Sequence, residues 1–149
     1  MPDIIQQFDE QALVWIAQNM RCAVLDPFME LYTQLGNAGM LFIALGVLML
    51  FFKPTRKAGF SALCAMLIGL IVVNFTIKPL VSRPRPWLVM ENFVNLVPEH
   101  DPNSFPSGHT NAAFAFALAA CVSAPRRWMK ITAVCMAAVM GLSRLYVGV

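Results

Sequence analysis

Apolar residues in this chain come in long runs rather than at an alternating or amphipathic period. From Ala58 to Ile77, 20 residues carry no formal charge, about the length a helix needs to cross a bilayer. Phe28 to Phe52 predicts another span, with an amphipathic first half and 14 strongly apolar residues at its end. Thr110–Pro125 and Ile131–Ser143 predict two shorter, alanine-rich spans. The last of these extends to Val149 apart from Arg144. Runs of this length also suit buried helices of a soluble protein, but small residues at close spacing favour helix contacts within lipid. Ahead of the spans, Ile5, Phe8, Ala12, Trp15 and Ile16 fall on one helical face, and Gln6, Asp9, Glu10 and Gln18 fall largely on the other. Such a helix can lie in the membrane interface or pack on the bundle. Asp26-Pro27 predicts the next helix start, with Asp26 as N-cap and Pro27 at the first position. A stretch containing Pro79, Pro84, Pro86, Pro98, Pro102 and Pro106 separates the second and third spans. Proline disfavours helix there, and irregular backbone must avoid lipid.

Composition sharpens this to a membrane protein. Of 149 residues, 58% are hydrophobic and 13% charged, against about 45–50% and about 25% in soluble domains. The charges are sorted. Lys53, Arg56 and Lys57 lie between the first two spans, and Arg126, Arg127 and Lys130 between the last two, with no acidic residue in either loop. The positive-inside rule puts those loops in the cytoplasm. The N-terminal segment, the loop at 78–105 and the end of the fourth span then lie on the outer face. Asp3, Asp9 and Glu10 stand where a cleavable signal would carry cations, so none is expected. Cys22, Cys64, Cys121 and Cys135 lack metal-ligand spacing, and they and the ten Met are read as packing residues. The expected architecture is an all-α integral membrane helical bundle of at least four transmembrane helices plus an N-terminal amphipathic helix. It forms one domain over 1–149, divided into an interfacial segment (1–24) and a bundle (28–149) with its outer loop at 78–105.

Three polar elements interrupt this pattern. Lys78, Arg83 and Arg85 follow the second span within eight residues, and Pro84 and Pro86 stiffen the backbone around the arginines. Interfacial cations of this kind commonly touch lipid headgroups. Pro106-Ser107-Gly108-His109 opens the third span. A helix N-terminus offers unpaired N–H groups and a positive dipole end to an anion, glycine allows close approach, and Ser107 adds a hydroxyl. His109, in the first turn, is a candidate proton donor to a leaving oxygen. Ser143-Arg144 lies near the outer end of the fourth span, where a charge is costly unless it faces a partner or a cavity. The arginine fork fits phosphate bidentately.

Lys78-x6-Arg85-Pro86, Pro106-Ser107-Gly108-His109 and Ser143-Arg144, in that order, resemble the three signature motifs of the type-2 phosphatidic acid phosphatase superfamily, which includes membrane lipid phosphatases, soluble acid phosphatases and vanadium haloperoxidases. The resemblance covers roughly Val72 to Val149, and its spacing selects Arg85 over Arg83. It implies that Lys78, Arg85 and Arg144 hold phosphoryl oxygens, that Ser107 and the Gly108 backbone donate hydrogen bonds, and that His109 is the general acid. Pro86, Pro106 and Ser143 would support them. No metal or other cofactor is implied, because the cations take its place. The implied partners are the bilayer and a lipid phosphate or diphosphate, of the undecaprenyl diphosphate, phosphatidic acid or phosphatidylglycerol phosphate type, with no nucleic acid. The setting would be a bacterial cytoplasmic membrane with the site on the outer face.

The family's third motif continues for five residues to a histidine, the nucleophile that forms a phosphohistidine, and four further on to an aspartate. Here those five are Leu145 to Val149, so the nucleophile falls at position 150. The apolar, uncapped ending reads as a cut through a motif, and a fragment or truncated form is expected. This chain alone would then be inactive. The alternatives are a non-catalytic phosphate-binding membrane protein or inactive paralogue, and a haloperoxidase-like enzyme, against which the long apolar spans argue. His100, flanked by Glu99 and Asp101, is a poor substitute nucleophile.

Overall fold

The computed structural model describes residues 3–90 and 93–149, with the side chains of residues 3–5 left aside; the place of Ile5 on the amphipathic face therefore lies outside the described residues. The N-terminal helix α1 (Asp3–Asn19) precedes α2 (Leu25–Leu35), α3 (Met40–Leu50) and α4 (Arg56–Gly69). The last runs without interruption through a π-helical stretch (Leu70–Ile77) into α5 (Lys78–Val81). Strand β1 (Arg83–Pro84), helix α6 (Pro86–Val89) and strand β2 (Asn103–Phe105) build the proline-rich segment. Two long helices, α7 (Gly108–Ser123) and α8 (Arg127–Val147), complete the described chain.

The four apolar stretches fold as four helical columns. Two are continuous helices long and apolar enough to cross a membrane, Arg56–Val81 and Arg127–Val147. The first column departs from the continuous span that its sequence predicts. It is a pair, Leu25–Leu35 and Asn37–Leu50, bent by 56°. The cause is local: Ala38 (φ 51) and Gly39 (φ 73) both take left-handed backbone, which no α-helix accommodates and which glycine adopts without steric cost. The third column, α7, has 16 residues and measures about 24 Å, short against a hydrocarbon core of about 30 Å.

Helices approach closely because the facing residues are small. Ala62, Ala113, Ala117, Ala120, Ala133 and Ala137 are buried between α4, α7 and α8, with Phe42, Met66, Phe116 and Met140 filling the space they leave. Large apolar side chains point outward instead, among them Phe60, Leu67, Ile68, Phe75, Leu118, Val122, Ile131 and Leu142. That inversion suits a bundle whose surroundings are hydrocarbon. The loop residues Lys53 and Arg126 lie at one end of the columns, and the proline-rich segment lies at the other.

Two other expectations are corrected. Asp26 is not the N-cap: α2 starts at Leu25 behind Val24, which makes no side-chain cap. Asp26 Oδ1 accepts instead from Cys22 N at 3.2 Å and from the Tyr146 hydroxyl at 2.6 Å, a fixed partner that outcompetes local capping. The proline-rich segment is not devoid of helix, because α5 and α6 each carry a proline at the first or second helical position, where the missing N–H costs nothing. Helix α1 packs on α8, one of the two alternatives that its pattern leaves open. Ile16 packs into a cluster with Val97, Tyr146 and Val147, while Phe8 and Trp15 remain exposed.

The α3–α4 contact supplies a test. A Cβ at Gly59 would stand 2.6 Å from the Gly46 carbonyl oxygen, a backbone atom that cannot rotate away. Gly59→Ala should therefore cost about 1–3 kcal/mol, read as a lower unfolding temperature in detergent. An unchanged temperature would show that the two helices are not locked at this distance.

Candidate active site

The π-helical stretch and α5 carry the second column out to Lys78 at its polar end. Ser82, in left-handed backbone (φ 45), turns the chain. The short β1–β2 ladder, with Arg83 opposite Phe105 and Pro84 opposite Asn103, then folds the proline-rich segment back on itself. Arg85 stands in extended backbone immediately before α6, whose first residue is Pro86. Beyond β2, the Phe105–Pro106 peptide bond is cis, and Ser107 caps α7 by accepting from Thr110 N at 3.3 Å. Arg144 lies in the last turn of α8.

These elements converge. Lys78, Arg85, Ser107, Gly108, His109 and Arg144 all line one cleft of about 540 Å³. One wall is apolar, formed by Ile43, Leu63, Met66, Leu67 and Leu70. Lys78, Arg85 and Arg144 are 9%, 5% and 5% exposed, which makes them the buried cations of the molecule among the described residues. Arg83 turns the other way, to Asp9 at 2.7 Å on α1. It lines a second groove of about 740 Å³ between α1 and the proline-rich segment, which meets the cleft at Ser107, Asn111 and Arg144.

The cations face carboxylates. Glu99 Oε2 is 2.7 Å from Arg144 Nη2 and 3.5 Å from Arg85 Nη2, and Asp101 pairs with Lys78. Arg85 Nε also donates to the Asp101 carbonyl at 3.0 Å, and its guanidinium lies over the Trp87 ring at 5.4 Å, a cation–π contact. Burial alone would raise the Glu99 carboxyl. The hydrogen bond from Arg144 and the charges of Arg85 and Arg144 outweigh it and hold Glu99 below the usual carboxylate range. Asp101 follows the same pattern: burial raises it, and the bond and charge of Lys78, the Asn103 N–H and the Arg85 charge bring it down. Arg85 itself is lowered by burial, in part restored by Glu99 and Asp101.

The remaining candidates divide. His109 Nε2 lies 2.9 Å from Asn37 Oδ1, at the break in the first column, so that break orients the imidazole. The Ser107 oxygen accepts from Thr110 N and also lies 3.2 Å from Thr110 Oγ1, which leaves its own proton free to be donated into the cleft. Ser143 does not reach the site. It is fully buried and its hydroxyl donates to the Met140 carbonyl at 2.8 Å. His100 is exposed.

Five residues here escape a reading of the sequence alone. Glu99 and Asp101 look like loop acids, and Asn37 looks like a polar residue in a weak span. Thr33, 1% exposed, accepts from Arg144 Nη1 at 3.0 Å and steadies the guanidinium. Asn74 stands one helical turn before Lys78 and lines the cleft. Among the described residues, Asn74 Oδ1 and Arg144 Nε are buried side-chain polar atoms without a partner. Both belong to this cleft, where an anion could accept from Nε and a hydroxyl could donate to Oδ1. Asn74 alone left a signal, as the one amide in the second apolar run.

The sequence pattern of the PAP2 superfamily matches residues 58–149. An undecaprenyl-diphosphatase of Sulfolobus acidocaldarius is 34% identical over 111 residues, 72% of this chain and 51% of that protein; the chain thus spans about half the length of the curated relative it matches. Two crystal structures share the fold. A PAP2-type phosphatidylglycerolphosphate phosphatase from Bacillus subtilis superposes with a TM-score of 0.74 at 27% identity, over 100% of this chain and 76% of that one. Aquifex aeolicus LpxE does so with a TM-score of 0.78 at 26% identity, over 93% and 80%.

Two measurements probe this geometry. Thr33→Val keeps the volume but removes the acceptor from a buried guanidinium. It should lower stability by about 1–3 kcal/mol, seen by thermal unfolding in detergent; no change would mean that Thr33 does not hold Arg144. The second concerns acid. Glu99 and Asp101 titrate below their unfolded values, so their pairing contributes fully above the ordinary carboxylate range near about pH 4 and is lost as pH falls through the depressed values. The unfolding temperature of the native protein should drop across that window, and Glu99→Gln should flatten the drop. Parallel curves would remove the assignment.

Proposed function

Because this chain belongs to the PAP2 superfamily, we propose that it forms the phosphate pocket of an integral membrane phosphatase that hydrolyses a lipid phosphate or diphosphate without a metal ion. The observation that carries this reading is the convergence of Lys78, Arg85, Ser107, Gly108, His109 and Arg144 on one cleft with an apolar wall. Phosphoryl transfer is catalysed chiefly by positioning and by stabilising negative charge. Three buried cations and a helix N-terminus supply both. Lys78, Arg85 and Arg144 hold the phosphoryl oxygens, and the Ser107 hydroxyl and Gly108 N–H donate to them. His109, oriented by Asn37, gives its proton to the leaving oxygen. Pro86 and Pro106 shape the backbone on either side. The family resemblance implies a histidine nucleophile that takes the phosphoryl group, which water then releases. The apolar wall at Ile43, Leu67 and Leu70, each partly open to the surroundings, suits an acyl or prenyl chain beside the headgroup.

The names of the relatives make undecaprenyl diphosphate and phosphatidylglycerol phosphate the first substrates to try. The cleft lies at the end of the columns away from the basic loops, which supports a site on the outer face of a bacterial cytoplasmic membrane.

The test uses the protein in detergent or in membranes. His109→Ala should lower turnover by about 10²–10⁴-fold while vanadate still binds, and undiminished turnover would remove His109 as the acid. Hydrolysis should continue in EDTA; its loss there, with recovery on adding Mg²⁺, would overturn the metal-independent reading. Phosphate binding with no turnover of any lipid phosphate would favour a binding protein instead.

A further inference from the structure

The three cations of the cleft are already engaged by the protein's own acids. Glu99 bridges Arg144 and Arg85, and Asp101 holds Lys78. This is a built arrangement. On one side, Leu96 N donates to the Val147 carbonyl at 2.9 Å and Val97 is buried against Tyr146 and Val147. On the other, Arg85 N donates to the Pro102 carbonyl at 3.1 Å, Asn103 N donates to Asp101 Oδ1 at 2.9 Å, and β2 pairs with β1. The backbone between is pinned at both ends, so the Glu99 carboxylate is presented to the arginines as a tethered ligand. One of its oxygens, Oε2, stands between the two guanidinium groups, at the place a phosphoryl oxygen would take.

We propose that Glu99 is a specificity-determining residue, a tethered competitor that admits terminal phosphate groups to the Arg85–Arg144 site and turns phosphodiesters away. The proposal rests on the phosphate-pocket reading above. Any ligand that uses both arginines must take over the bonds that Glu99 makes. A phosphodiester carries one negative charge and two free oxygens, the same as the carboxylate. It gains nothing electrostatically by the exchange, and it competes with a group whose effective concentration is that of an intramolecular partner. A terminal phosphate carries about −1.5 to −2 at neutral pH and three free oxygens. It can displace Glu99 and engage Lys78 at the same time. The distinction matters in a bilayer, where ordinary phospholipid headgroups are phosphodiesters and would otherwise crowd a cationic site at the membrane surface.

Equilibrium binding separates the possibilities. Inorganic phosphate and dimethyl phosphate are titrated calorimetrically at pH 7.5 into the full-length protein in detergent, native and Glu99→Gln. Gln keeps the shape and hydrogen bonding of Glu without its charge. The native protein should prefer phosphate, and in Glu99→Gln the preference should shrink by about tenfold or more, chiefly through tighter dimethyl phosphate. An unchanged ratio, or equal weakening of both ligands, would reduce Glu99 to a structural partner of the arginines and overturn the proposal. If Glu99→Gln does not fold, Glu99→Asp, which retracts the charge by one methylene, should shift the ratio the same way by less, and an unchanged ratio there overturns it equally. Absence of phosphate binding in the native protein would instead bring down the pocket reading on which this rests.

Discussion

Lys78, Arg85 and Arg144 are charged groups taken almost wholly out of water, and a buried cation persists only where anions and hydrogen-bond acceptors replace its hydration shell. The architecture around the polar end of the bundle follows from that requirement. The proline-rich segment returns to place Glu99 and Asp101 against the cations, Thr33 accepts from Arg144 Nη1 and the Asp101 carbonyl from Arg85 Nε, and the Trp87 ring covers Arg85. The arrangement stays incomplete at Arg144 Nε and Asn74 Oδ1. The site satisfies its cations mainly with carboxylates held by the proline-rich segment, and it leaves two buried polar atoms over.

The scaffold meets this demand by bringing column ends together. In an antiparallel bundle the end of α5, the start of α7 and the end of α8 share one face, so residues from 78 to 144 meet there, with the proline-rich segment folded over them. Alanine packing lets those helices approach closely, and the close approach draws the cation-bearing ends into one cleft. The bend in the first column adds what straight helices could not. It turns Asn37 toward His109 and keeps Thr33 beneath Arg144. The far end of α8 is held by Tyr146, whose hydroxyl donates to Asp26 and accepts from Cys22 N, so the helix carrying Arg144 is anchored about half a turn beyond that residue.

Much of the candidate site is legible before any coordinates. Lys78, Arg85, Ser107, His109 and Arg144 are polar residues at the ends of apolar runs, and the cost of such residues near lipid is itself the signal. Ser143 shows the limit of motif reasoning: it accompanies Arg144 in the motif, yet on a helix neighbouring residues diverge by about 100°, and its hydroxyl turns back to the Met140 carbonyl. Thr33, Asn37 and Glu99 show the converse. Each sits in a stretch with an ordinary local explanation, and nothing near it in the chain marks its role. The broken first span was hidden for a different reason, since Gly36-Asn37-Ala38-Gly39 is weakly helical yet does not dictate left-handed backbone at Ala38.

The amino-acid sequence by itself determined the helical columns, the sorting of charge to the two ends and the polar residues that interrupt the apolar runs. All of these follow from local free energies: the transfer of each side chain between water and lipid, and the geometry that proline, glycine and a helix N-terminus impose. The tertiary structure alone decided which acids meet which cations, where the first column bends, and which hydroxyls steady the guanidinium. Those pairings join residues as far apart as Thr33 and Arg144, or Glu99 and Arg85. They arise because a buried charge must find a partner wherever packing makes one available, a condition that depends on distances in space and leaves no periodic trace along the chain.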